Sequence, residues 1–245
     1  IQEVGFTRNI NSIPELFNYR FNSTARCILA FMIVFTMMGT VAAQVTATAT
    51  IIKMLGNEFG ISYEAGALAA TLIFIIYTAA SGLFGVVYTD VLQFFMLIIF
   101  VYILIPFSSI RYLGGFSSFW QNLDKSYLVP HINGSILGDI VTYLVFTLAG
   151  AEMWQRAFAA KSKKAATQGM FWGTSIYMVT IALVFFMGLA GRQILPDVVA
   201  SYGSSDAVVP ALAVSILPPG LTGLALAGIL SVMMSTADSY LLVSL

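Results

Sequence analysis

Apolar residues in this chain come in long unbroken runs. Six runs are long enough to cross a bilayer, which takes roughly 20 mostly apolar residues: Cys27–Ile52, Ala65–Tyr88, Val91–Ile110, Ile136–Trp154, Gly169–Ala190 and Leu221–Leu245. An outer-membrane barrel would alternate polar and apolar positions along each strand, so the pattern predicts an all-α membrane protein with six transmembrane helices. The second and third runs are so close that a tight turn is expected at Tyr88–Asp90. Between runs, Ser12-x-x-Glu15 with Pro14 reads as a capping box opening a short interfacial helix, Pro14–Arg20. Surface helices are expected at Phe116–Leu123 and at Asp206–Leu217, the latter broken by Pro218-Pro219-Gly220. Residues 1–245 thus read as a single transmembrane domain. The chain begins with Ile1 and stops inside the apolar stretch Tyr240–Leu245 with no flanking charge, so it is expected to be part of a longer protein.

Composition narrows the class further. Apolar residues make up 59% of the 245 positions and charged residues only 9%, with 11 Lys plus Arg against 11 Asp plus Glu. That is too few charges to cover a soluble globule, and no basic footprint for nucleic acid exists; the surrounding partner is the lipid bilayer. One Cys and one His, Cys27 and His131, leave no thiolate or imidazole metal cluster. No P-loop or nucleophile elbow occurs, so no enzyme and no organic cofactor are expected. The basic residues are biased to one side. Arg8, Arg20, Arg26, Arg156, Lys161, Lys163 and Lys164 share a side, whereas Lys53, Arg111, Lys125 and Arg192 lie opposite. The bias places the N-terminal segment in the cytoplasm of a multi-pass protein of the plasma (inner) membrane.

Polar groups within apolar runs need a reason, because hydrocarbon offers them no partner. The last run holds Ser231 and then Ser235-Thr236-Ala237-Asp238-Ser239. Ser235, Asp238 and Ser239 are spaced i+3 and i+4, hence on one face. Hydroxyls and a carboxylate are hard oxygen ligands suited to Na⁺; Ser and Thr bonded back to the backbone are the other reading. Asp90 opens the third run, where it serves as a helix N-cap, an intramembrane carboxylate or both. Two carboxylates at similar depth, Asp90 and Asp238, repel unless a cation or proton lies between them. Thr36, Thr40, Gln44 and Thr48 form an i+4 stripe on the first run, either a packing seam or the lining of a cavity. Glu152 and Arg156 read as an interfacial i+4 ion pair or a gate.

Four segments, taken together, resemble a known family. Ser12-Ile13-Pro14-Glu15…Arg20-Phe21, Gly82…Tyr88-Thr89-Asp90-Val91-Leu92-Gln93, Gln155-Arg156…Ala159-Ala160-Lys161-Ser162 and Leu226-Ala227…Met234-Ser235-Thr236-Ala237-Asp238-Ser239 resemble, in order and spacing, segments of the sodium/solute symporter family. The resemblance implies a leucine-transporter-like core of two inverted five-helix repeats, of which the six runs would be core helices three to eight. It implies a sodium site made here by the carbonyl of Val232 and the hydroxyls of Ser235 and Thr236, with other ligands on a core helix outside this chain. It also implies, as in some members, an additional sodium site at Asp90, Ser235, Asp238 and Ser239. The substrate cavity would draw on Gln44, Thr40 and Thr48 of the first run and on Phe146–Glu152 of the fourth, ending at Glu152.

The function so implied is sodium-coupled symport of a small organic solute by alternating access, with Na⁺ alone as coupling ion. The solute class remains open among amino acids, choline-like cations, pantothenate and sugars. A symporter-like membrane sensor domain and a proton-coupled carrier are the alternatives.

Overall fold

A computed structural model describes residues 2–129 and 134–244, apart from the side chains of residues 2, 58, 81–84, 87, 134, 146–149, 152 and 243–244. His131 lies outside the described residues. The described residues are predominantly helical and hold no strand. Its helices are α1 (Gln2–Arg8), α2 (Ile13–Arg20), α3 (Ser23–Gly56), α4 (Tyr63–Met96), α5 (Leu104–Tyr112), α6 (Phe116–Asn122), α7 (Gly134–Ala149), α8 (Ala151–Ala159), α9 (Lys163–Ile194), α10 (Val198–Tyr202), α11 (Val208–Ile216) and α12 (Pro219–Ser244). Among the described residues, five stretches are long and apolar enough to cross a membrane: Ser23–Gly56, Tyr63–Ala80, Tyr88–Tyr112, Lys163–Ile194 and Pro219–Leu242.

The ends of these helices follow local chemistry. Asn22 and Ser62 accept from the backbone N–H of Ala25 (2.9 Å) and Ala65 (3.2 Å), satisfying orphan donors at the starts of α3 and α4. Pro219 opens α12, where a missing N–H costs nothing. The capping box also forms. Ser12 Oγ accepts from Glu15 N at 3.4 Å, and Glu15 Oε2 accepts from Asn11 N at 2.7 Å.

Two expectations change. The fourth run, Ile136–Trp154, is not one continuous helix. Helix α7 ends at Ala149, Gly150 adopts φ −57°, ψ 112°, and α8 starts afresh at Ala151. The extended ψ at Gly150 breaks the helical ladder, and α8 beyond it carries Gln155 and Arg156 rather than a continuous apolar surface. The expected turn at Tyr88–Asp90 is also displaced. Helix α4 runs through these residues, yet the Tyr77 hydroxyl meets Thr89 Oγ1. In a straight helix, residues twelve apart are separated by about 18 Å, so α4 bends sharply between them. Ser81, Gly82 and Gly85 fall in that interval, the residue types at which helices kink.

Between α4 and α5, Leu97–Ile103 form a π-helix, with Leu104 N–H bonding the Ile99 carbonyl five residues back. Pro106 follows within α5 and has no N–H for the carbonyl of Tyr102. A ladder already interrupted there readily takes the wider π turn.

The chain divides into two compact units. The first comprises Ile1–Met37 and Asp124–Ile176. Within it α1 and α2 pack on α8. Gly5 is buried there, and a Cβ added to it would stand 2.5 Å from Phe158 Cδ1. The second comprises Met38–Leu123 and Tyr177–Val243. Its core gathers Ile51, Val101, Ile105, Met187, Leu212 and Ala225, drawn from α3, the π-helix, α5, α9, α11 and α12. Large apolar side chains such as Phe31 and Phe35 on α3 point outward, each 73% exposed. That is costly in water and favourable against lipid tails.

Candidate functional site

The polar groups of α4 and α12 meet within the second unit. Ser235 Oγ on α12 donates to Asp90 Oδ1 on α4 at 2.5 Å. One turn further along α12, Asp238 is 1% exposed, and its Oδ1 accepts from Thr78 Oγ1 at 2.5 Å. Thr78 is itself buried and lies on the other side of the α4 bend. The bend therefore delivers two positions of one helix, 78 and 90, to adjacent turns of α12. Thr78 Oγ1 also lies 2.8 Å from the Phe74 carbonyl. Its single proton therefore serves two acceptors.

Two buried acceptor oxygens here lack a donor. Asp238 Oδ2 is buried with no hydrogen-bond partner, and so is Gln93 Oε1, one turn along α4 from Asp90. Neither Asp90 nor Asp238 has an ion-pair partner among the described residues, and their contacts with Ser235 and Thr78 set the two carboxylates on adjacent turns of α12. A buried carboxylate oxygen with no donor is expensive. A cation held by these oxygens removes the cost, and hard oxygen donors suit an alkali ion.

The remaining sequence-derived positions lie as follows. Thr236 and Ser239 are half-buried on α12 beside Ser235 and Asp238, and Val232 is half-buried one turn earlier. Ser231 Oγ bonds back to the Gly228 carbonyl at 2.7 Å, the local reading of an intramembrane Ser. Along the α3 stripe, burial grows from exposed Thr36 through half-buried Thr40 and Gln44 to buried Thr48. Thr48 Oγ1 lies 3.3 Å from Met233 Sδ on α12, an arrangement that supports packing at that end of the stripe. The side chains of residues 146–149 and of Glu152 lie outside the described residues, and with them the Glu152–Arg156 pair. Glycine permits the close fit of α4 and α12: a Cβ on Gly228 would stand 3.1 Å from Val101 Cγ2 and 3.3 Å from the Met96 carbonyl oxygen.

Two members of this site escape sequence reading. Thr78 is a single hydroxyl in an apolar run, and only the bend relates it to Asp238. Gln93 stands in the Tyr88…Gln93 segment, spaced i+3 from Asp90; that spacing was its available signal.

The profile of the sodium:solute symporter family matches residues 3–245. The sodium/pantothenate symporter of Haemophilus influenzae is 29% identical over 96% of this chain and 49% of its own length. The sodium/proline symporter of Salmonella typhimurium is 27% identical over 97% of the chain and 49% of its own. The mouse sodium/myo-inositol cotransporter 2 is 28% identical over 71% of the chain and 31% of its own length. The chain spans about half the length of the two bacterial relatives. With its motifs in order, its helices apolar and the match nearly end to end, the chain belongs to the sodium:solute symporter family.

Proposed function

We propose that the protein containing this chain is a secondary active transporter that couples Na⁺ entry to uptake of a small organic solute. The observation that carries this reading is the oxygen-rich contact of α4 and α12. There Asp90 meets Ser235, and Asp238 is buried with one oxygen unpartnered. Ser235 and Thr236, with the Val232 carbonyl, hold one Na⁺ together with groups outside residues 1–245. Asp90, Ser235, Asp238 and Ser239 hold an additional one. Ser235 is common to both sets, so its hydroxyl links the two occupancies. The driving force is adequate: one charge moving through 100 mV supplies about 2.3 kcal/mol before any concentration gradient.

On this reading residues 1–245 belong to one transmembrane domain with part of an inverted-repeat core. It lies in the plasma (inner) membrane with the N-terminal segment cytoplasmic. The relatives' names set the first solutes to try: pantothenate, proline and myo-inositol. Gln44 and Thr40, half-buried on α3, and Glu152 are the residues proposed for the solute cavity, with Thr48 at its packed end.

The test is uptake into proteoliposomes holding the full-length protein. Uptake should require an inward Na⁺ gradient and should not follow an inward proton gradient in Na⁺-free medium. Ser235→Ala and Thr236→Ala should each raise the Na⁺ concentration for half-maximal uptake by about tenfold, the effect of one lost charge-assisted contact. Unchanged Na⁺ dependence in both variants, or uptake driven equally well by protons alone, overturns the proposal.

A further inference from the structure

We propose that α1, α2, α8 and the start of α9 form a binding surface for anionic phospholipid headgroups, with Arg8 and Arg20 gripping the phosphate. The proposal draws on the first compact unit alone and stands apart from the sodium reading. Contact of α1 and α2 with α8 puts these elements on one side of the bilayer, whichever leaflet that is. Their charge is lopsided. Arg8, Arg20 and Arg26 run from α1 to the first turn of α3, and Arg156, Lys161, Lys163 and Lys164 follow from α8 to the first turn of α9. All seven are exposed. The same elements carry only Glu3, Glu15 and Glu152, and Glu15 is committed to the Asn11 N–H. Such a surface attracts an anionic leaflet, each base adding to the hold.

The aromatics beside these bases decide between a lipid and a soluble anion. Phe6 is 82% exposed and Phe21 62%, and Tyr19 between them in sequence is exposed too. Bare rings next to guanidinium groups suit neither bulk water nor hydrocarbon. The boundary between headgroups and acyl chains accommodates both. A free anion would neutralise the arginines and leave the rings in water, whereas a phospholipid covers both.

The two arginines are also set in place before any lipid arrives. Arg8 Cζ lies 5.2 Å from the Tyr19 ring centroid, which ties the end of α1 to α2, and Arg20 Cζ lies 5.7 Å from that of Phe21. The Phe21 ring in turn packs on Phe17, centroids 5.4 Å apart. A guanidinium seated on a ring has already given up side-chain freedom, and its N–H groups remain for the paired oxygens of a phosphate. The backbone beneath is fixed as well. Ile10 N–H bonds the Gly5 carbonyl at 3.0 Å, and Gly5 sits against Phe158 of α8.

The experiment is native mass spectrometry of the purified full-length protein in detergent, titrated with phosphatidylglycerol or with phosphatidylcholine of the same acyl chains. Wild type should hold phosphatidylglycerol about tenfold more tightly than phosphatidylcholine. Arg8→Gln combined with Arg20→Gln should remove about that factor and leave phosphatidylcholine binding unchanged. Arg8→Lys with Arg20→Lys keeps the charge without the fork and should fall between. Lys53→Gln with Arg111→Gln lowers the net charge equally on other elements and should bind as wild type does. If the double Gln variant of Arg8 and Arg20 fails to fold, Lys163→Gln with Lys164→Gln decides by the same loss of preference. Excess inorganic phosphate, at ionic strength matched with chloride, should not displace the lipid. A wild type without preference overturns the proposal, and so does a folded Arg8 and Arg20 double Gln variant that keeps it. An equal loss in the Lys53 and Arg111 variant overturns it by reducing the effect to net charge. Displacement by inorganic phosphate overturns it in favour of a soluble anion.

Discussion

Replacing Thr78 with Val tests the Thr78–Asp238 contact with little change in shape. The two side chains are nearly isosteric, so packing around a residue only 6% exposed is kept and only the hydroxyl is lost. The hydroxyl is the one donor to Asp238 Oδ1, at 2.5 Å, and Asp238 Oδ2 already lacks a partner. Removing it leaves a 1%-exposed carboxylate with no hydrogen bond among the described residues. Hydrogen bonds to charged groups contribute about 1.5–3 kcal/mol, so a loss of about 2 kcal/mol in Na⁺-free buffer is expected. That corresponds to a drop in melting temperature of roughly 4 °C, less in a larger cooperative unit. The assay is thermal unfolding of the full-length protein in detergent, repeated in an Asp238→Leu background. There Thr78 has no carboxylate to serve, and Thr78→Val should cost less than about 0.5 kcal/mol, giving a coupling near 1.5 kcal/mol. Equal costs in both backgrounds would refute the contact. Saturating Na⁺ should recover part of the loss in the single variant, because an ion on Asp238 replaces the missing donor.

Two further outcomes, each with its rescue, follow from the same packing. Gly228→Val should push α12 away from Met96 and Val101 and weaken Na⁺ binding; Val101→Ala should relieve the crowding and restore it, as measured by ²²Na⁺ titration. Gly5→Ala should cost about 1–3 kcal/mol by overpacking against Phe158 and the Ile10 carbonyl, seen as faster hydrogen exchange in α1 and α8. Relief of that loss by Phe158→Leu would tie it to the ring; continued loss would assign it to the Ile10 carbonyl.

The apolar runs made five spans legible, because burial in lipid demands a length and a composition that sequence displays directly. Ser12, Pro14 and Glu15 likewise announced α2, since a cap is a local device. Two features were not local. The break at Gly150 depends on one ψ value in a run whose composition continues smoothly. The bend of α4 sits among Ser and Gly residues that allow it without dictating its place, and it alone brings Thr78 to Asp238. For the site, Asp90, Ser235 and Asp238 stood out as polar groups in hydrocarbon. Their pairing did not, because it depends on the register between α4 and α12. Gln93 was visible but read as part of a motif, with no hint that its oxygen is left over.

The spacing of hydroxyls on α12 carries a consequence for motion. Ser231, Ser235 and Ser239 recur every four residues, which is about 6 Å along the axis with about 40° of rotation per step. If α12 slides and screws by one such step, Asp90 loses Ser235 and meets another serine in its place. That contact works like a toothed rack: it tolerates displacement at discrete positions. The contact one turn away has no such teeth. Four residues before Asp238 stands Met234, and four after it Leu242, so any slide strands the carboxylate opposite Thr78. One carboxylate thus permits stepping while the other fixes the rest position.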